Sequence, residues 1–205
     1  MQTALEERST TPKGRRQRDR LVEAAEGLFA SRGFHGASMR ELAAGAGLPL
    51  ATAVYHFARK EQLYAAVLSA IADQLTVEVL GAAAGDLDRF VRALVQWSLA
   101  NPRRVELLLR ELLDNPPRVA KAAKLPLAPF LIGATALVAE AQRAGLVEVA
   151  SPELAVLHVV GGISYIVAAQ PTVARIVGAT RAKVLAQGAQ REAIALASHS
   201  LGRTR

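Results

Sequence analysis

Apolar residues recur along this chain every three to four positions, the interval of a helix face rather than of a strand. Leu21, Ala24, Ala25, Leu28 and Phe29 follow i, i+3, i+4, i+7, i+8, which predicts an amphipathic first helix starting near Gly14 to Arg16. It ends at Arg32-Gly33, where glycine can adopt the left-handed cap. Ser38-Met39-Arg40-Glu41 has the spacing of a capping box, so a second helix opens there and presents Met39, Leu42, Ala43 and Ala46 before it stops at Gly45 to Gly47. A third, short helix covers Pro49 to about His56. The fourth starts near Arg59 and runs through Leu63, Val67, Ile71 and Leu75 without glycine or proline before Gly81, a rod of about 30 Å.

Similar punctuation divides the rest. Helices are expected over Asp86 to Ala100, from Asn101-Pro102 to Asn115-Pro116-Pro117, up to Gly145, from Ser151-Pro152-Glu153 to about Ala169, and over Thr180 to Ser200. The first dozen residues, closed by Pro12, have no periodicity and read as mobile. The expected fold class is therefore all-α. Its divisions are a flexible basic arm at 1–14, a three-helix module at 15–60, and a C-terminal helical bundle at 61–205.

Composition narrows the chemistry. There are 205 residues, 51% of them hydrophobic, enough for a packed core, and only 4% are aromatic, which suits helices packed on helices. The absence of cysteine excludes disulfides and thiolate chemistry and fits a reducing cytoplasm. Leu125–Ala139 and Leu154–Ala169 are greasy, but both fall short of the roughly 20 residues of a membrane span. They read as core or interface helices, and no membrane partner is expected.

The formal charge is +7, and the excess lies just before the first helix. Arg8, Lys13, Arg15, Arg16, Arg18 and Arg20 face a single acid, Asp19, which is either a solvated tail or the footprint of a polyanion. Two short helices joined by a glycine turn and backed by a supporting helix are what is needed to press a second helix into a major groove. The third helix is the expected reader, offering Leu50, Ala51, Thr52, Val54, Tyr55 and His56. Of these, Thr52 can bond base edges or phosphate and Ala51 can meet a thymine methyl. Tyr55, His56 and Lys60 would hold phosphates, with Phe57 inside the module.

The stretches Arg20-Leu21-Val22-Glu23-Ala24-Ala25, Leu28-Phe29, Gly33-Phe34, Ser38 to Ala43, Gly45-Ala46-Gly47 and Tyr55 to Leu63 closely resemble the tetracycline-repressor (TetR/AcrR) family over about residues 15 to 65. The resemblance implies an all-helical homodimer, usually a repressor, with a divergent effector-binding C-terminal domain. It implies DNA contacts at Ser38 and Arg40, at Ala51, Thr52, Tyr55 and His56, and at Lys60. Two positions depart from the pattern: Pro49 replaces a frequent serine and Arg59 a frequent serine or aspartate cap, so the operator does not transfer.

Beyond residue 60 the signals thin. Between Glu61 and Gly145 nine basic residues balance nine acids, and after Leu146 there are six against three. The helix from Pro152 and the last helix are apolar over too much of their circumference to face solvent, so they pair with a second subunit or form a monomeric core. Phe90, Trp97, Phe130, His158 and Tyr165 are the expected liners of an effector pocket, with ordinary core as the alternative, and the expected effector is hydrophobic or aromatic. The histidines are isolated, and no HExxH, P-loop, GxGxxG or nucleophile elbow is present, so neither an enzyme nor a cofactor is expected. The competing readings are a helical small-molecule binder or enzyme without a DNA role, and a protein-only adaptor. The latter leaves Tyr55, Lys60 and the basic arm without purpose. The expected partners are a palindromic duplex, a small effector and a second copy of the chain.

Overall fold

In the computed structural model the chain is described at residues 11–114 and 125–178 and at positions 180, 181, 184, 188, 191, 194 and 195. Those residues form helices with no β-strand among them. They divide into two compact units, the first ending at Ile71 and the second beginning at Ala72.

The first unit holds α1 (Pro12–Arg32), α2 (Met39–Gly45), α3 (Leu50–His56) and most of α4 (Lys60–Leu75). α1 begins earlier than its apolar period suggests. Pro12 is its first residue and no part of a mobile arm: Thr11 accepts the Gly14 N–H at 3.1 Å, and proline is tolerated at N1 because its missing N–H would have no helical partner. Gly14, assigned to the arm from sequence, is buried, whereas Arg8 lies outside the described residues. Leu21, Ala25 and Phe29 of α1, Leu42 and Ala43 of α2, Ala53 of α3, and Leu63, Tyr64 and Val67 of α4 form the core of this unit. Three rings bind it together: Tyr64 meets Phe29 edge-on at 4.7 Å and Phe34 at 5.2 Å between centroids.

In the second unit the chain leaves α4 through a π-helical turn, Thr76–Leu80, and a last turn at Gly81–Ala83. Sequence gives no signal for this widening, since neither glycine nor proline intervenes. The Thr76 hydroxyl donates to the Ala72 carbonyl at 2.8 Å, a back-bond that bends helices. Then come α5 (Leu87–Ala100), α6 (Pro102–Asp114), α7 (Ala128–Arg143) and α8 (Pro152–Val177). Asp86 and Ser151 cap α5 and α8 at the expected positions. α8 packs on α5, α6 and α7. α7 crosses so near Leu80 that a Cβ on Gly133 would stand 2.6 Å from the Leu80 Cδ1.

α8 corrects two sequence readings. It runs 26 residues, through Pro171, and ends only at Gly178, whose φ of 82° and N–H bond to the Ala174 carbonyl terminate it. One lost backbone donor at Pro171 bends or weakens a helix without ending it when neighbouring turns persist. The helix is thus long and apolar enough to cross a bilayer, contrary to the expectation that its greasy stretch falls short, and Lys60–Ala83 also reaches that length. The proposed ends at Asn115-Pro116-Pro117 and the final helix lie outside the described residues or on isolated positions.

Two glycines separate steric need from helix propensity. A Cβ on Gly36 would sit 2.3 Å from the Arg32 carbonyl oxygen, so Gly36→Ala is expected to destabilise the protein by about 1–3 kcal/mol. Gly27, within α1 with nothing within 4 Å, should gain roughly 0.5–1 kcal/mol on Gly27→Ala. Urea-unfolding midpoints measured for both variants test the contrast.

Candidate DNA-binding site

α2 is held at both ends. At its start the Ser38 Oγ accepts the Glu41 N–H at 3.3 Å and donates to the Glu41 carboxylate at 2.7 Å, while the Ser38 N–H donates to the same carboxylate at 2.9 Å. Glu41 also accepts from Arg32 at 2.8 Å, and the Ser38 hydroxyl, followed by the Ser38 N–H, holds its carboxyl below the usual range. At its end Gly47, with φ 65°, turns the chain, and the Arg20 guanidinium of α1 donates to the Ala46 carbonyl at 2.7 Å. One arginine of the basic cluster therefore secures the turn between α2 and α3.

α3 starts at Pro49 with no side-chain cap, as the departure from serine implies, and the Pro49 carbonyl instead accepts from Thr52 and Ala53 at 3.0 and 3.2 Å. Its two faces differ sharply. Ala53 is fully buried and Phe57, just beyond the helix, is 5% exposed. Opposite them Leu50, Ala51, Val54 and Tyr55 stand at i, i+1, i+4 and i+5 and are exposed. Arg40 on α2 is exposed as well, and Thr52 is half-buried.

Two residues expected at phosphates point elsewhere. His56 is half-buried, both ring nitrogens are covered and lack a hydrogen-bond partner, and its ring meets Tyr55 edge-on at 5.2 Å. Burial, and secondarily the Arg18 charge, pushes its pKa below 6.5. The Lys60 ammonium donates to the Ala37 carbonyl at 2.9 Å and lies 4.4 Å above the Phe34 ring, so it ties the loop before α2 to the start of α4. Arg18, another member of the basic cluster, stacks 5.2 Å over Phe57. These inward roles left no sequence signal, because an arginine on a helix looks alike whether it faces phosphate or a carbonyl. Leu50 and Val54, named from sequence only among the candidates of the third helix, are exposed.

The five residues expected around an effector are not brought together. Phe90 and Phe130 are buried, 6.3 Å apart, and Trp97 is buried with its indole N–H lacking a hydrogen-bond partner. His158 and Tyr165 instead lie on the exposed side of α8, Tyr165 at 74% exposure, because Val156, Val159, Ile163 and Val167 take the inward stripe. A separate concavity of about 490 Å³ has Asp86, Asp88 and Glu140 on its lining and none of the five.

The covered imidazole has a pH consequence. A histidine whose folded pKa is depressed binds its proton more readily when unfolded, so its contribution is present above pH 6.5 and declines as pH falls through 6.5 towards the lower folded value. Melting temperatures measured between pH 8 and 5 are expected to fall on that side, with a smaller fall in His56→Gln.

Among known proteins, the sequence pattern of the bacterial regulatory proteins of the tetR family matches residues 21–67. No curated protein matches the chain by sequence. Solved structures share its fold. A protein from Streptomyces coelicolor superposes with a TM-score of 0.73 at 24% identity, covering 92% of this chain and 99% of that one. A tetR-family regulatory protein from Rhodococcus RHA1 gives 0.66 at 22%, covering 92% and 98%. AibR, solved with isovaleryl coenzyme A and operator DNA, gives 0.58 at 20%, covering 74% and 85%. The matched stretch coincides with the helices that frame the exposed face of α3, so residues 21–67 carry the tetR-type regulatory domain and the chain is a DNA-binding transcription regulator.

Proposed function

We propose that the chain is a homodimeric repressor that reads a palindromic operator with α3 and is released from it by a small, largely apolar effector. The observation that carries the DNA-reading part is the division of α3. Its inward residue Ala53 is sealed in the core, while Ala51 and Tyr55 stand outward and Arg40 of α2 is exposed as well. Ala51 and Thr52 meet base edges, and Tyr55 and Arg40 hold phosphates. Lys60 keeps N–H donors beyond the one given to Ala37, and it and Ser38 act mainly by fixing the frame. His56 supports the orientation of Tyr55 from behind rather than donating to DNA.

The residues up to 60 serve DNA and those from 61 serve effector and partner. Dimerisation uses the outward side of α8, where Leu154 and Leu157 are 57% and 55% exposed and Gly161 and Gly162 have nothing within 4 Å of an added Cβ. The effector reading draws on the buried Phe90, Phe130 and Trp97. Such a protein works in the cytoplasm beside the genome.

Selection of bound fragments from random duplex DNA tests the proposal. The expected product is a palindrome whose half-site centres lie about 34 Å apart or at a multiple of that turn. Arg40→Ala should weaken binding to all sequences and lower the slope of log affinity against log salt by about one, whereas Thr52→Ala should change preference at particular bases. Failure of the dimer to prefer any duplex over scrambled competitor would overturn it.

A further inference from the structure

Resting on that reading of α3, we infer that this chain recognises its operator chiefly through thymine methyl groups, with Leu50 and Val54 as the specificity-determining residues. The major groove presents hydrogen-bonding edges that are matched by particular side chains: guanine by arginine or lysine, adenine by asparagine or glutamine, cytosine by a carboxylate. α3 reads Leu50-Ala51-Thr52-Ala53-Val54-Tyr55-His56 and contains none of these. His56 offers no substitute donor, since its ring nitrogens are covered.

What α3 does present is aliphatic. Leu50 and Val54 are 38% and 44% exposed on a helix whose other side is sealed in the core, and Ala51 lies between them on the same face. They are one helical turn apart, about 6 Å along the axis, so together they cover adjacent or next-adjacent base steps of about 3.4 Å each. The thymine C5 methyl is the apolar feature of the groove that such side chains can match. Against adenine N6 or cytosine N4 the same side chains would remove water and return no hydrogen bond, which penalises the wrong base. Three nearby cations, Arg18, Arg20 and Lys60, engage Phe57, Ala46 and Ala37, and the exposed Arg40 lies on α2, so α3 itself offers its apolar face with Thr52 as its one small hydrogen-bonding side chain.

Deoxyuridine provides the test, because it deletes the methyl and keeps every hydrogen-bonding group of thymine. On the duplex selected by the full-length dimer, each half-site thymine is replaced singly. Loss of one buried carbon, about 0.8 kcal/mol where 1.4 kcal/mol is tenfold, is expected to weaken binding about fourfold at each contacted position. Val54→Ala and Leu50→Ala should each abolish the sensitivity at one position, and unchanged urea-unfolding midpoints report that these exposed-site variants remain folded. A selected half-site without thymine, or uniform tolerance of deoxyuridine, overturns the inference while DNA recognition stands. So does a deoxyuridine penalty that both variants retain, since the methyl would then act on duplex shape. Absence of any preferred duplex overturns this inference together with the DNA-reading proposal beneath it.

Discussion

α2 and α3 are each seven residues long, far below the length at which an isolated helix persists in water, so their geometry depends on what clamps them. The decisive contacts are two cations on backbone carbonyls. Arg20 reaches from α1 to the Ala46 carbonyl at the C-terminal end of α2, and Lys60 reaches from α4 to the Ala37 carbonyl just before its N-terminal end. Each places positive charge on a carbonyl oxygen that helical bonding leaves available, at close to 2.8 Å, and each bridges segments more than twenty residues apart. Between them lie the capping box of Ser38 and Glu41 and the rings of Phe29, Phe34 and Tyr64. With α2 so held, α3 inherits a fixed start through Gly47 and a fixed inward side through Ala53.

This arrangement changes what the charge of the chain means. A net excess of +7 invites the inference of many phosphate contacts, yet in the DNA-binding unit several cations are already engaged by groups of the protein. Arg18 covers Phe57, Arg20 and Lys60 hold carbonyls, and Arg32 pairs with Glu41. They fix the frame of α2 and α3, while Arg40 and the outward residues of α3 stand exposed. On the seven-residue α3, Ala53 is sealed in the core, Thr52 and His56 are half-buried, and Leu50, Ala51, Val54 and Tyr55 make up the exposed, mainly aliphatic side.

The second unit follows a different economy. Its interior gathers Phe90, Phe130 and Trp97, whereas α8 turns Leu154, Leu157 and Tyr165 outward, and only 28% of its most apolar window is buried in the chain. An isolated bundle would place such residues inside. Their exposure separates the outward aromatic, Tyr165, from the interior ones with which sequence had grouped it.

The order of helices, the capping box at Ser38, the caps at Asp86 and Ser151, and the membership of residues 21–67 in a DNA-binding family were all legible in the chain, because they depend on local spacing and on chemistry between residues three or four apart. The true start of α1 and the reach of α8 past Pro171 were less so, since several weak local signals compete there and packing decides among them. What sequence could not determine was direction. Whether Arg20 and Lys60 meet phosphate or a carbonyl, whether His56 donates or is covered, and whether His158 and Tyr165 line an interior or a surface depend on which helix passes opposite. Periodicity places a residue on a side of its own helix, but only the tertiary structure supplies the neighbour that gives that side its meaning.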